Sequence, residues 1–179
     1  ADALGGHVRA QPCHLRLLQA LLRLLPARRH AADGVRGEPA LPDRRDLNRS
    51  FPGSAGGSLA ARLANLFLNE VVKRCQFGID LHTAAVHRVN LPQIRSDFVK
   101  SPRCRQLSEA FGAQVVLESP ERPGSLRRAA RDAGVDVLVY EGGGGLRFDE
   151  FAIKAGVDGV AGVMLATGML SLPDGVEAS

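Results

Sequence analysis

The sequence predicts an α/β domain in which helices cover both faces of a largely parallel or mixed sheet. Three observations support this. From about residue 54, short apolar runs alternate with amphipathic segments, which is the pattern of strands alternating with helices. The 179 residues are the length of one ordinary domain that can bury a core. With 45% apolar and 23% charged residues, the composition is that of a globular chain.

Four segments are predicted to be helices. Residues 58–75 carry apolar side chains at helical spacing, and residues 102–111 form a shorter candidate. Residues 123–133 have a proline near their start and a glycine just after their end. A last helix is expected to begin at a cap on Asp149 and to bury one apolar stripe, made of Ile153, Val157, Val160 and Met164.

Three apolar runs are predicted to be strands, at residues 78–82, 113–117 and 135–140. The last is rich in β-branched residues and is the clearest of them. Polar residues follow two of these runs, so His82 and Glu141 are expected to lie together at the carboxyl edge of the sheet.

Residues 1–40 do not fit this pattern, because they hold one Leu/Arg-rich helix candidate and then an Arg/Ala/Gly-rich stretch. The expected organisation is therefore an atypical N-terminal segment at residues 1–40 and a partial α/β domain at residues 41–179.

Charge and composition exclude several classes of partner. Residues 1–50 carry nine Arg against five acidic residues, and the rest of the chain is balanced. A basic nucleic-acid-binding face would therefore have to lie in residues 1–50. Because only 4% of the residues are aromatic, few side chains could stack on bases, and we expect no nucleic-acid partner. No membrane span is expected. The three cysteines are far apart, which indicates a reduced, cytoplasmic setting.

The loop at residues 46–49 has the sequence DLNR and is the first candidate site. Asn48 offers a planar amide and Arg49 a guanidinium fork, a combination that suits a carboxylate-bearing ligand. The alternative is a structural loop in which Arg49 pairs with Asp46 or Asp43.

The strand ending in Asp80 and His82 is the second candidate. Residues two apart on a strand face the same side, so the carboxylate could orient the imidazole for a metal. The alternative is a hydrogen-bonded structural histidine. His87 is five residues further on and is not counted as a ligand.

Glu141 is the third candidate, as a general base at a strand end before four glycines that are expected to form a loop. The alternative is a salt bridge with Arg147. The glycines lack the spacing of a phosphate-binding loop, so nucleotide binding is not expected.

Several segments together resemble the succinylglutamate desuccinylase/aspartoacylase family: DLNRSFPG at residues 46–53, IDLHT at 79–83, NLPQIR at 90–95 and YEGG at 140–143. Their order and spacing are similar to the family's over roughly residues 41–172. The resemblance implies an α/β/α sandwich around a mixed sheet, like that of zinc carboxypeptidases.

The resemblance also implies a function, namely zinc-dependent hydrolysis of the amide bond of an N-acyl amino acid. His82 would be a Zn²⁺ ligand, Glu141 would activate the water and protonate the leaving amine, and Asn48 and Arg49 would hold a substrate carboxylate.

Two departures from the family pattern leave a non-catalytic alternative open. The family's metal site begins with His-x-x-Glu, and no such motif follows any of the early histidines, His7, His14 and His30. Family members also usually continue into a small β-rich domain. The alternative is a degenerate family member that keeps only a carboxylate-binding pocket.

Overall fold

The computed structural model describes residues 43–85, 87–145 and 147–171. The expected segment at residues 1–40 lies outside them. The described residues form four α-helices and four strands, which alternate except that the first two strands follow each other directly. Two short 3-10 helices accompany them, at Leu47–Arg49 and Val72–Arg74. The helices are α1 (Leu59–Glu70), α2 (Arg103–Phe111), α3 (Leu126–Asp132) and α4 (Glu150–Ala166); the strands are β1 (Phe77–His82), β2 (Val89–Ser96), β3 (Val115–Glu118) and β4 (Asp136–Gly144).

The described strands form one mixed sheet in the order β1-β4-β2-β3. β1 and β4 are parallel, and so are β2 and β3, whereas β4 and β2 run antiparallel. The parallel register sets His82 directly beside Glu141. Because the side chains of such paired residues point to the same face, the two predicted site residues share one side of the sheet.

β4 lies between the two helical layers and contributes side chains to the hydrophobic core on each side. Val137 belongs to a cluster with the buried side chains of α1 and α3, while Leu138 and Tyr140 belong to a second cluster with those of α2 and α4. Successive residues of a strand point to opposite faces, so one strand contributes to both cores. The result is an α/β/α sandwich around a mixed sheet, as predicted.

Most helices and strands lie close to their predicted positions, with boundaries shifted by a few residues. α1 begins where Ser58 accepts the N–H of Ala61, and the predicted helix at 58–75 ends earlier, with a 3-10 turn in its last part. α3 begins after a similar cap, in which Ser125 Oγ accepts the N–H of Arg128, so the proline at 123 precedes the helix.

β2 is the strand that the sequence analysis did not assign. Its alternation is broken because one extra residue is inserted between Asn90 and Gln93, where the register with β4 shifts. Pro92, which cannot donate a ladder hydrogen bond, lies inside this bulge.

The predicted buried stripe of α4 is wrong for Ile153 and Val157, whereas Val160 packs against the second core cluster as predicted. Ile153 and Val157 are exposed, and the residues that face the core are small ones, namely Ala152, Gly156, Gly159 and Val163. The reason is the short distance between α4 and its neighbours. A methyl group on Gly159 would overlap the ring of Phe111 on α2, so only a small-residue face fits there. Asp149 precedes the helix but its side chain caps no backbone N–H.

Within the described ranges, no helix is both long and apolar enough to cross a membrane.

The close approach of α4 to α2 generates a stability prediction. Alanine is favoured over glycine inside a helix by about 1 kcal/mol. At position 159 its methyl group would meet Phe111, which is 5% exposed and stacked on Tyr140, so the ring cannot move aside. We expect Gly159→Ala to lower the free energy of unfolding by about 1–3 kcal/mol, as overpacking does.

Urea denaturation measures this change. Gly56→Ala is the matched control, because a Cβ there would meet nothing within 4 Å. Equal stabilities for the Gly159→Ala variant and the wild type would contradict the packing described for α4.

Candidate active site

One cleft of about 280 Å³ brings together all four residues that the sequence singled out: Asn48, Arg49, His82 and Glu141. His82 and Glu141 lie near the carboxyl ends of β1 and β4, where they are paired directly across the ladder. Neighbouring strands in a sheet lie about 4.8 Å apart. The expected convergence of these two residues on one cleft is confirmed. Their chemical roles remain predictions.

His82 is oriented by the carboxylate two residues before it. Its Nε2 lies 2.8 Å from Asp80 Oδ2, and the Asp80 side chain is only 12% exposed. A carboxylate accepts hydrogen bonds, so this contact assigns the proton of a neutral ring to Nε2. In this tautomer the lone pair lies on Nδ1.

Glu141 lies within β4 rather than after it, which corrects the expected strand end at residue 140. The next three glycines also belong to the strand, because β4 continues to pair with β2 up to Gly144. The predicted glycine loop is therefore wrong for these three residues. Arg147 is not the partner of Glu141 either, since its guanidinium packs against Gly144.

The partners of the Glu141 carboxylate both come from β2. Asn90 Nδ2 donates to Oε2 at 2.8 Å, and Arg95 Nη1 lies 3.7 Å from Oε1. Neither residue was predicted to belong to the site. They stood in a segment quoted only for its likeness to the family, and no strand had been assigned there.

Asn48 anchors the loop that carries Arg49. Asn48 Oδ1 accepts the N–H of Leu126, the first residue of α3, at 2.8 Å. On the other side, Asp46 Oδ1 accepts the N–H of Asn48 at 2.7 Å and closes the 3-10 turn. Gly124 packs directly against the Arg49 backbone, where a Cβ would overlap the carbonyl, so only glycine fits.

Arg49 makes neither of the salt bridges that the structural alternative required. Its Nη1 donates to the carbonyl of Asn48 at 2.6 Å. Asp46 instead caps the turn, and Asp43 accepts the N–H of Ala60 at the start of α1. The guanidinium is exposed at the cleft, where it can meet an anion.

Three further arginines line the cleft, and the sequence analysis did not identify them: Arg95, Arg122 and Arg127. Arg127 Nη2 donates to the carbonyls of Ser119 and Pro120 at 3.0 and 2.9 Å, which fixes its position. Burial lowers the pKa of Arg127, and nearby Glu121 opposes that shift. With four arginines against Asp46, Asp80 and Glu141, the cleft has an excess of positive charge that favours an acidic ligand.

A buried ion pair supports the loop of Arg122. Arg131 Nε lies 2.9 Å from Glu121 Oε2, and the Glu121 side chain is 1% exposed. Burial raises the pKa of the Glu121 carboxyl, and the charges of Arg131 and Arg127 work in the opposite direction.

A larger cleft of about 450 Å³ lies between the Phe51 loop, α1 and α3. None of the four predicted site residues lines it. The Arg128 and Asp132 side chains at its edge are already paired with each other, at 3.1 Å.

The described residues fit a zinc site only in part. His82, oriented by Asp80, matches one ligand position and its supporting carboxylate. Over residues 43–85, 87–145 and 147–171, no three His, Cys, Asp or Glu side chains are grouped so that they could hold a metal ion. A catalytic zinc usually takes three protein ligands, so the described cleft alone does not complete the site.

The fold and the cleft together define the class of protein. It is an α/β/α sandwich with a histidine and a glutamate at the carboxyl edge of its sheet, beside several arginines. A model of the succinylglutamate desuccinylase/aspartoacylase catalytic domain matches residues 25–167. The chain belongs to this family, whose members are deacylases and generally depend on zinc. The match begins before residue 41, from which the resemblance was expected to run, and the division at residue 40 remains a prediction.

Solved structures have the same fold. A succinylglutamate desuccinylase/aspartoacylase from Rhodobacter sphaeroides is 24% identical, with a TM-score of 0.68, over 75% of this chain and 42% of that one. A succinylglutamate desuccinylase from Silicibacter sp. TM1040 is 22% identical, with a TM-score of 0.69, over 79% and 45%.

A product-bound structure of the ectoine utilization protein EutE (DoeB) from Ruegeria pomeroyi is 23% identical, with a TM-score of 0.68, over 79% of this chain and 45% of that one. The chain thus spans less than half the length of these structures. A search of curated proteins gives no match.

The anchoring role of Asn48 generates a prediction. Asn48→Ala removes the acceptor for the Leu126 N–H, and we expect it to lower the free energy of unfolding by about 1–2 kcal/mol. Asn48→Asp keeps an acceptor and places a negative charge at a helix N-terminus, which is favourable. We therefore expect Asn48→Asp to keep most of the stability in urea denaturation. Equal losses in the two variants would contradict this role.

Proposed function

We propose that this chain carries the active-site cleft of a deacylase that hydrolyses the amide bond of N-acyl amino acids. One observation carries the proposal. The four residues that resemble the family's functional residues, which lie far apart in the sequence, all line a single cleft. Membership of a deacylase family supports the same reaction type.

In this proposal the substrate lies between the exposed Arg49 guanidinium and the sheet. Arg49 binds the amino-acid carboxylate through its fork of N–H groups, and Asn48 supports this contact from the same turn. The amide bond then lies over the sheet, beside Glu141. The excess of arginines in the cleft suits a substrate with negative charge.

Glu141 handles the protons of the reaction. Its carboxylate accepts a proton from the attacking water and passes it to the nitrogen of the leaving amine, so one group serves as base and then as acid. The side chain is 19% exposed, and this leaves it accessible from the cleft while most of its surface is covered.

We further propose that His82 is one ligand of a catalytic Zn²⁺ and that Asp80 orients it. When bound, zinc would lower the pKa of a water molecule and polarise the scissile carbonyl. The other ligands would have to come from outside the described residues. Because no His-x-x-Glu follows His7, His14 or His30 in the sequence, we expect this chain by itself to bind zinc weakly and to turn over slowly.

The second candidate is a non-catalytic family member that binds a carboxylate-bearing ligand in the same cleft. The observation in its favour is that the described residues hold no group of three metal ligands, whereas the arginines are in place. For either candidate we propose a small-molecule ligand and, from the few scattered cysteines, a reduced cytoplasmic setting.

The decisive experiment measures bound zinc and amine release from N-acyl amino acids, with the wild type and Glu141→Gln purified in parallel. Release that Glu141→Gln abolishes would support the deacylase. Binding of an N-acyl dicarboxylic amino acid without turnover, lost on removal of Arg49, would support the second candidate. If the chain neither binds nor hydrolyses such compounds, both are wrong.

Arg49→Lys tests the carboxylate contact. The variant keeps the charge but loses the two-pronged geometry, so we expect ligand affinity to fall about tenfold, which corresponds to about 1.4 kcal/mol. Calorimetric titration with the same N-acyl amino acid, or the Michaelis constant of an active protein, measures the change. Arg62→Lys on α1, outside the cleft lining, is the matched control. An unchanged affinity in Arg49→Lys would contradict the role.

A further inference from the structure

The carboxylate of Glu141 has two unequal contacts, and both come from β2. Asn90 Nδ2 donates to Oε2 at 2.8 Å, which is an ordinary hydrogen bond. Arg95 Nη1 lies 3.7 Å from Oε1, too far for a hydrogen bond. One oxygen is therefore held, while the other keeps its capacity to accept a proton.

Asn90 reaches Glu141 only because of the bulge in β2. Beyond the bulge, Gln93 is paired with Glu141 and Arg95 with Val139, so odd-numbered residues of β2 share the face of the cleft. In a regular strand, Asn90 would point to the opposite face. The extra residue reverses this alternation, and Asn90 is paired with Gly143, on the same face as Glu141.

We propose that Asn90 is a positioning residue for Glu141, aimed at it by the bulge; this inference rests on the proposed deacylase function. The last torsion of a glutamate side chain is broad, so a free carboxylate rotates over a wide range. The hydrogen bond from Asn90 fixes this rotation. It leaves Oε1 as the oxygen that accepts the proton of water and later gives it to the amine.

An amide suits this purpose better than a second close cation would. It donates one hydrogen bond without adding a charge, so it orients the carboxylate without neutralising it. Arg95 stays at a distance where it attracts the carboxylate electrostatically but leaves Oε1 unbonded. Bulges beside active sites often redirect one side chain in this way.

The kinetic test compares Asn90→Leu, which has nearly the same size but no donor, with the wild type. A loosened base costs turnover rather than binding, so we expect kcat to fall about 10- to 100-fold with little change in KM. Val89→Ala, an exposed position on the same strand, is the control and should behave as the wild type. Arg49→Lys should show the opposite split, a raised KM.

A double-mutant cycle separates positioning from general structural damage. In a Glu141→Ala background, Asn90→Leu should have no further effect on the residual rate, because nothing remains to be positioned. A loss of kcat that is the same in both backgrounds would overturn the inference. So would an unchanged kcat in Asn90→Leu when Glu141→Ala is inactive.

Urea denaturation compares the wild type, Asn90→Leu, Glu141→Ala and the double variant, and this measurement does not depend on enzymatic turnover. If the hydrogen bond stabilises the fold, the unfolding equilibrium constant of the double variant should differ about tenfold from the value expected if the two single changes were additive. Additive changes would overturn the inference for an active or an inactive protein. An inactive wild type with coupled stabilities would instead count against the deacylase, and with it against a catalytic purpose of the contact.

Discussion

The alternation of side chains along β4 is the constraint on which the rest of the structure depends. Even-numbered residues of this strand, Leu138 and Tyr140, are buried against α2 and α4, so the odd-numbered ones must face α1 and α3. Glu141 is odd-numbered, so its side chain points to the face of the sheet that α1 and α3 cover. On that side of the sheet the cleft is lined by the loops at residues 46–49 and 119–122.

The two functional clusters of the cleft differ in how they are fixed. His82 and Glu141 stand on paired strands, so the backbone ladder sets their separation. Arg49 stands on a turn that Asp46 closes, that Asn48 ties to α3 and that packs against Gly124, so loop contacts rather than a strand ladder set its position. The proposed zinc ligand and the proposed base are thus fixed by the backbone ladder, whereas the proposed ligand-binding group stands on a loop.

The sequence was sufficient for those parts of the fold where pattern and burial coincide. The run that contains Val137 and Leu138 is apolar because both faces of β4 are buried, so a strand was correctly predicted there. In α4, glycines at the contact replaced the large apolar side chains that a periodicity argument looks for, and Ile153 was left on the surface. β2 was not predicted because its bulge shifts the two-residue alternation of the strand by one residue.

The site was predictable to the extent that its residues end apolar runs or belong to a recognisable motif. Arg127 meets neither condition, and Asn90 belongs to the family-like segment NLPQIR but had no role predicted for it. Arg127 is one of several basic residues on a short helix, and only the loop carbonyls that hold it distinguish it from solvated neighbours. Asn90 faces the cleft through a change of register, which is a property of two strands together and is absent from either sequence alone.

The bulge in β2 has a consequence for how the cleft can change during evolution. Most substitutions alter one side chain and leave its direction intact, but here a single-codon deletion within residues 91–92 would restore regular alternation. Asn90 would then turn to the far face of the sheet, while Gln93 and Arg95 kept their partners. Lineages could therefore lose this contact in one step without altering any residue of the cleft itself, and sequence comparisons that ignore gaps would overlook the event.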